Sequence, residues 1–265
     1  MTWGLTMYFS CMHKVFDREH VTKIGRYFLE GRSRPRKIQL RGLMFSDDEQ
    51  SKNVGYFLVK QFWASQIPGQ FKAATGHDPL LLLQICTLRY HNAARPASLV
   101  PWHLDAKFYG FDVPFWTVWA PFVAIGTDAP GLEFSLRDTG EADPEHIRDF
   151  WSRVVPNAEG SVAIASSDLA AFHDDEYFSL LSKSLYPGDA FVFDQFVLHR
   201  TQVLPSPHKE RIAIEYRISS TTRFPGSIEP ETMSAYLVCY QNGDGDIVVT
   251  SFTDHFKDQI AGKTA

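Results

Sequence analysis

Two residues near the middle of this chain have the types and spacing of half a metal site. The segment Trp102-His-Leu-Asp105 places an imidazole and a carboxylate two residues apart. On an extended strand such residues project to the same side, so His103 and Asp105 can aim at one point. A second imidazole would complete a two-histidine, one-carboxylate face, which leaves three positions of an octahedral Fe(II) for co-substrate and dioxygen. Alone the pair is a weak signal, because ten histidines and 31 acidic residues make chance pairs common. The histidines that follow are His146, His173, His199, His208 and His255. His146 stands at a helix start, His173 begins an acidic stretch, and His208 follows Pro205-Ser-Pro207. His199 ends the apolar run Gly188-Asp-Ala-Phe-Val-Phe-Asp-Gln-Phe-Val-Leu-His199, as a ligand carried on a buried strand should, and is the expected third ligand.

A co-substrate with a free carboxylate needs a cation. Arginine suits that role, because its planar fork grips a carboxylate through two bonds and keeps its charge when buried. The segment Arg211-Ile-Ala-Ile-Glu-Tyr-Arg-Ile218 alternates polar and apolar residues. Arg211, Ala213, Glu215 and Arg217 share one face, and Arg211 on that face becomes the expected carboxylate anchor. Arg200 adjoins His199 and points the other way. For the substrate, Lys107 has the parity of Asp105 and suits an anionic group. Phe115 suits an apolar wall. Glu215 suits a cationic group or a pairing with Arg217.

These residues need strands to hold them. The first 79 residues read as a mainly helical region. Phe16 to Leu29 has helical spacing, and Ser46-Asp-Asp-Glu49 resembles a capping box before a helix running to about Ser65. Buried strands are expected over Leu81–Tyr90, Phe115–Val123 and Gly131–Leu136. Residues 137–183 read as an insertion, with a helix start at Asp143-Pro-Glu-His146 and an amphipathic stretch over Phe172–Leu185. Strand character returns over Ala190–Thr201, as one strand or a pair, and over Arg211–Ser219. Gln241-Asn-Gly-Asp-Gly245 predicts a hairpin between Ser234–Tyr240 and Asp246–Phe252. Strands without regular helix alternation favour an antiparallel sandwich or barrel, mainly β with flanking helices, in a single domain over 1–265.

The composition fits such a domain. Of 265 residues, 44% are hydrophobic and 22% charged, enough for a packed core. The net charge is −5, and the one dense basic cluster, Arg32-Ser-Arg-Pro-Arg-Lys37, reads as a solvated loop, so no nucleic-acid partner is expected. Three scattered cysteines argue against a disulfide framework and against a thiolate zinc site. No apolar run approaches the length of a membrane span. A cytoplasmic protein acting on a small molecule is expected, and a homodimer is compatible with the sequence.

His103-x-Asp105, His199 and Arg211 together resemble the phytanoyl-CoA dioxygenase-like (PhyH-like) Fe(II)/2-oxoglutarate-dependent oxygenases. The resemblance runs over about residues 84–220. It is carried also by Val100-Pro-Trp-His-Leu-Asp-Ala106, Thr117-Val-Trp-Ala120, Ala129-Pro-Gly-Leu-Glu133 and Pro187-Gly-Asp-Ala-Phe-Val-Phe193. It implies a double-stranded β-helix, the jelly-roll or cupin-like barrel. It also implies Fe(II) on His103, Asp105 and His199, with 2-oxoglutarate and O2 as co-substrates. Trp119 would line the 2-oxoglutarate pocket, and Thr201 would help Arg211 bind the far carboxylate. The implied activity is a dioxygenase, most simply a hydroxylase of an unactivated C–H in a metabolite or natural product, releasing succinate and CO2. Asp105 stands where related halogenases carry a small residue, which disfavours halide transfer. Leu104 replaces a frequent glutamine, and the 137–183 insertion departs from the family, so substrate identity does not carry over. Two other readings stay open: a jelly-roll metalloenzyme that uses the triad without 2-oxoglutarate, and a non-catalytic metal-binding protein of the same fold.

Overall fold

Residues 8–30, 37–92, 99–106, 113–137, 178–204, 209–222 and 236–261 are described by a computed structural model. The N-terminal part contains β1 (Phe9–Met12), α1 (Arg18–Glu30), β2 (Lys37–Gln39), α2 (Leu40–Met44), α3 (Glu49–Ala64) and α4 (Ile67–Thr75). The central part contains β3 (Pro79–Leu82), β4 (Thr87–His91), β5 (Trp116–Pro121), β6 (Leu132–Arg137) and β7 (Phe178–Ser182). It is followed by β8 (Ala190–Asp194), β9 (Leu198–Thr201), β10 (Arg211–Ser220), β11 (Leu237–Gln241) and β12 (Ile247–Ser251), and then by two short helices, Phe252–His255 and Lys257–Ala261.

The strands form two antiparallel sheets. The larger runs β1-β8-β5-β10-β3-β11-β12, with β4 and then β2 attached to the other half of β10; the smaller runs β7-β6-β9. β10 is the axis of the large sheet. It pairs with β5 along one edge, and with β4 and β3 in succession along the other. All ten of its residues are buried, so both faces are covered. Ile212, Ile214, Tyr216 and Ile218 enter one core, together with Val118 and Ala120 of β5 and Leu58, Val59 and Phe62 of α3. Ala213 enters a second core with Trp119, Phe134, Phe191 and Phe193, between the two sheets. The period-two alternation read from Arg211–Ile218 therefore sorts side chains between a helix-covered outside and an inter-sheet inside. The architecture is a jelly-roll, mainly antiparallel β with helices on the outside of the large sheet.

Several expected boundaries move. Leu81–Tyr90 is two strands rather than one. The chain folds back after β3, where the backbone N–H groups of Ile85 and Cys86 both donate to the Leu82 carbonyl. A strand-like segment whose turn holds neither glycine nor proline, only Gln84 among apolar neighbours, does not reveal such a turn. The mainly helical first 79 residues also contribute an edge strand, β1, paired with β8. Asp48, not Ser46, caps α3, its carboxylate accepting from the Ser51 N–H at 2.8 Å. Ala190–Thr201 is a strand pair, and the hairpin β11–β12 forms as its turn residues predict. Within 137–183, the last residues form β7 against β6; the helix start at Asp143–His146 lies outside the described residues.

Helix α1 lies so close to the loop after β5 that only glycine fits at position 25. A Cβ there would stand 2.7 Å from the Phe122 carbonyl oxygen and 2.9 Å from its Cβ. Gly25→Ala gains about 1 kcal/mol of helix propensity but should lose about 1–3 kcal/mol to overpacking. Thermal unfolding is expected to show a lower midpoint. Gly69→Ala, in open space within α4, is expected to keep or raise it.

Candidate metal centre

The cavity between the sheets is assembled from alternating positions. β9 supplies His199 and Thr201, β5 supplies Thr117 and Trp119, and β10 supplies Arg211, Glu215 and Arg217. The segment before β5 supplies Val100 and His103, and β4 supplies Arg89. The space between these atoms is about 370 Å³, counting the part open to solvent.

His103 does not sit in a regular strand. It forms an isolated antiparallel bridge with His199, each backbone N–H donating to the other's carbonyl at 3.0 and 3.1 Å. Directly opposed residues project to the same side, and the two rings lie 4.1 Å apart between centroids. Their neighbours Trp102 and Arg200 meet on the reverse side, where the Arg200 guanidinium covers the Trp102 ring at 4.7 Å and pairs with Glu133 at 2.6 Å. Asp105 is two residues on, but the chain has already left the bridge into a turn, with the Ala106 N–H donating to Gln195. Strand parity is thus not what aims Asp105. Its carboxylate is set by side chains: the Thr117 hydroxyl and the Arg217 guanidinium both donate to Oδ2.

The ligand atoms of His103, Asp105 and His199 lie within 4.8 Å of one another, close enough to hold one metal ion. Both histidines are prepared for it. Nδ1 of His103 faces the Pro101 carbonyl at 2.8 Å, and Nδ1 of His199 faces the Val197 carbonyl at 2.9 Å. A carbonyl only accepts, so each Nδ1 must carry the proton and each Nε2 keeps a lone pair for a metal. Burial, aided by the adjacent His103 imidazole, pushes the His199 pKa down to about 3, which keeps that ring neutral. Burial also lowers His103. Asp105 is fully buried, which by itself would raise its pKa; the Arg217 guanidinium and the two imidazoles outweigh that and hold it well below the usual carboxylate range. The donor set of two neutral imidazoles and one carboxylate suits a first-row divalent metal with open positions.

Arg211 is buried in the same cavity. Its Nη1 donates to the carbonyls of Pro130 and Gly131 at 2.8 and 3.0 Å, and its guanidinium lies over the Trp119 ring at 5.2 Å. Among the described residues its Nε has no partner, and neither has the buried indole N–H of Trp119. Burial lowers the Arg211 pKa to about 10, leaving it charged at neutral pH. Two unmet donors beside a buried cation are costly in a finished core and are what an incoming carboxylate would satisfy. The Thr201 hydroxyl, on the same cavity wall, accepts the Val100 N–H at 3.0 Å and still has its own proton to donate.

The expected substrate residues fare differently. Lys107 lies outside the described residues, as do His146, His173 and His208. Phe115 does not face the cavity: it packs with Leu80, Leu82, Val238, Phe252 and Phe256. The reason is local, since it precedes β5 and is tied by its N–H to the Gln195 side chain. Glu215 does line the cavity, but its carboxylate is already engaged by Arg89 at 2.7 Å and Arg217 at 3.2 Å. Those two guanidinium groups overcome burial and bring its pKa down to about 2. The roles of Arg217 and Thr117 as partners of Asp105 were missed in the sequence. The available signal was Arg217's shared face with Arg211.

No protein-family profile and no curated protein sequence matches this chain. Solved structures do match in fold. The epimerase SnoN in complex with Fe3+, alpha ketoglutarate and nogalamycin RO is 13% identical, with a TM-score of 0.53 over 84% of this chain and 88% of that one. The non-heme alpha ketoglutarate dependent carbocyclase SnoK is 14% identical, with a TM-score of 0.51 over 86% of each chain. EctD from S. alaskensis is 10% identical, with a TM-score of 0.52 over 84% of this chain and 78% of that one. At such identities the likeness establishes the jelly-roll fold and nothing narrower. Among the described residues no helix is long and apolar enough to cross a membrane.

Removing Arg217 would strand a buried carboxylate. Arg217→Met is expected to destabilise the metal-free protein by about 3–5 kcal/mol, the range for breaking one partner of a buried ion pair. Added Co(II) should restore much of that loss by taking over the charge on Asp105. Chemical unfolding with and without Co(II) checks both halves; equal stability of the variant and the parent without metal would contradict the pairing.

Proposed function

We propose that this protein is an Fe(II)- and 2-oxoglutarate-dependent oxygenase acting on a C–H bond of a small molecule, most simply as a hydroxylase. The observation that carries the reading is the buried, incompletely bonded Arg211 guanidinium in the same cavity as the His103, Asp105 and His199 cluster. A metal-binding protein without a diacid co-substrate has no use for that cation. The fold relatives add support. SnoN was solved with Fe3+ and alpha ketoglutarate, and SnoK is named as alpha ketoglutarate dependent. Their names also include an epimerase and a carbocyclase, so the fold accommodates several reaction outcomes. The PhyH-like resemblance read from the sequence is part of the same proposal.

In this reading His103, Asp105 and His199 hold the iron. Arg211 binds the far carboxylate of 2-oxoglutarate, Thr201 donates its hydroxyl proton to the same group, and the Trp119 indole covers the chain. When bound, iron would activate O2, the oxidant, with 2-oxoglutarate supplying two electrons: one oxygen atom would end in succinate, with loss of CO2, and one on the substrate. The protein's part is geometric and electrostatic. The carbonyls of Pro101 and Val197 fix which ring nitrogens face the metal. Arg217 and Thr117 occupy Oδ2 of Asp105 and so leave Oδ1 as the ligand atom. Phe193 and Leu132 line the cavity with apolar surface and help to exclude water.

Purified protein supplied anaerobically with Fe(II) and 2-oxoglutarate, then exposed to O2 and candidate small molecules, is expected to form succinate in step with substrate loss. A charge-assisted hydrogen bond is worth about 1.5–3 kcal/mol, so Arg211→Ala should raise the 2-oxoglutarate concentration for half-maximal rate by about ten- to a hundredfold. If Arg211→Ala left both turnover and its 2-oxoglutarate dependence unchanged, a metalloenzyme that does without 2-oxoglutarate would replace this reading.

A further inference from the structure

The cavity and its rim carry more positive charge than the proposed chemistry uses. Arg89, Arg211 and Arg217 line the cavity against two carboxylates, Asp105 and Glu215. Lys37 adds a fourth cation, because it is the direct antiparallel partner of Arg89 in the β2–β4 pairing. The surplus is two positive charges. A divalent metal and a doubly charged diacid cancel one another, so the surplus stays the same whether or not they bind.

Arg217 is absorbed by Asp105 and Glu215, and Arg211 has its assigned carboxylate. Arg89 and Lys37 remain. Arg89 is held by one edge only: its Nε donates to Glu215 Oε2 at 2.7 Å. That contact fixes the plane of the guanidinium, while its two Nη groups make no hydrogen bond with a described residue. The side chain is 30% exposed and lines the cavity, which puts it where cavity and solvent meet. Lys37 makes no ion pair with a described residue. Its pKa is lowered, first by desolvation and then by the neighbouring Arg89, with Glu215 acting in the opposite sense. Like charges directly opposite one another across an antiparallel pair are destabilising. Two neighbouring cations that share one acid, Glu215, with one of them pre-oriented by it to present a two-pronged donor edge, form an oxyanion receptor.

We infer that Arg89 and Lys37 form a binding site at the cavity mouth for an oxyanion on the substrate, a carboxylate or a phosphate ester. Glu215 is its positioning residue: it touches Arg89 and not the ligand. The site deepens the proposed function by naming the substrate class, and its position relative to a metal-bound reaction rests on that reading. The receptor itself does not.

The first experiment therefore uses no iron and no 2-oxoglutarate. Thermal unfolding of the full-length metal-free protein is followed in sodium phosphate, sodium acetate and sodium chloride at matched ionic strength. Phosphate or acetate is expected to raise the midpoint about 2–4 °C above chloride at roughly tenfold excess over Kd. Arg89→Met and Lys37→Met should each lose most of that increment, while Arg211→Met keeps it. Lys37 is exposed, so its variant serves even where Arg89→Met folds poorly. A larger response to phosphate assigns a phosphate ester, and a larger response to acetate assigns a carboxylate. The inference is overturned if the parent shows no increment, if both rim variants keep it, or if only Arg211→Met loses it.

The second experiment is the succinate assay with acids paired with their methyl esters. Acids should be oxidised at least tenfold faster than their esters, and Arg89→Met should erase the preference. Oxidation of neutral compounds unaffected by Arg89→Met overturns the substrate assignment. Absence of succinate with every compound, alongside an intact anion response, removes the oxygenase reading and leaves the anion site standing.

Discussion

A strand that water scarcely reaches carries Arg211, Glu215 and Arg217 on one face, and the rest of the architecture answers to that. Ion pairs inside a protein stabilise it only when geometry and extra hydrogen bonds offset several kcal/mol of desolvation per ion. β10 meets the condition by having partners delivered from elements far away in sequence. Asp105 comes from the turn after the His103 bridge, Thr117 from β5 and Arg89 from β4. None of these contacts can form until β10 lies between β4 and β5. The site is therefore a consequence of sheet order, and a slip of β10 by one residue would put isoleucines in the cavity and ions against α3.

The outer face of the same strand explains why the slip does not occur. Ile212, Ile214 and Ile218 are sealed under α3 and its neighbours, and the Tyr216 hydroxyl donates to the Leu58 carbonyl at 3.0 Å inside that layer. Burying each such side chain is worth about 1.5–3 kcal/mol. The helical layer thus does two things at once: it fixes the register of β10, and through the register it fixes which side chains face the metal site.

The sequence made the periodic parts legible. Alternation over Arg211–Ile218 announced a two-faced strand, and the apolar run after the Pro187-Gly-Asp turn pointed to His199 as strand-borne, although the run is broken by a turn and His199 lies near the start of β9. What it concealed were features without a period. The turn that splits β3 from β4 holds neither glycine nor proline and one polar residue, Gln84, in a strand-like segment, and β1 is a four-residue edge strand whose partner lies some 180 residues away. At the site, His103 and Asp105 were read as strand neighbours, and their convergence is real, but the cause differs. Phe115, read as a cavity wall, shows the same failing, since parity fails where a strand has not yet begun. Lys107 falls outside the described residues.

That difference in cause bears on how firmly each ligand is held. The histidines are locked by backbone: a two-bond bridge opposes their Cα atoms, and a carbonyl holds each Nδ1. Asp105 has no such frame and is aimed by the hydroxyl of Thr117 and the guanidinium of Arg217. Two donors converging on Oδ2 leave Oδ1 as the oxygen that would hold a metal. An arginine against a ligand carboxylate also opposes an incoming cation, which weakens metal binding relative to an unpaired carboxylate. The pairing nevertheless stabilises the fold before any metal arrives, because the alternative is a buried charge with no partner. Stability without metal and affinity for metal are thus set against each other by one side chain. The balance lies in how far Glu215, which shares Arg217 with Asp105, draws that guanidinium away.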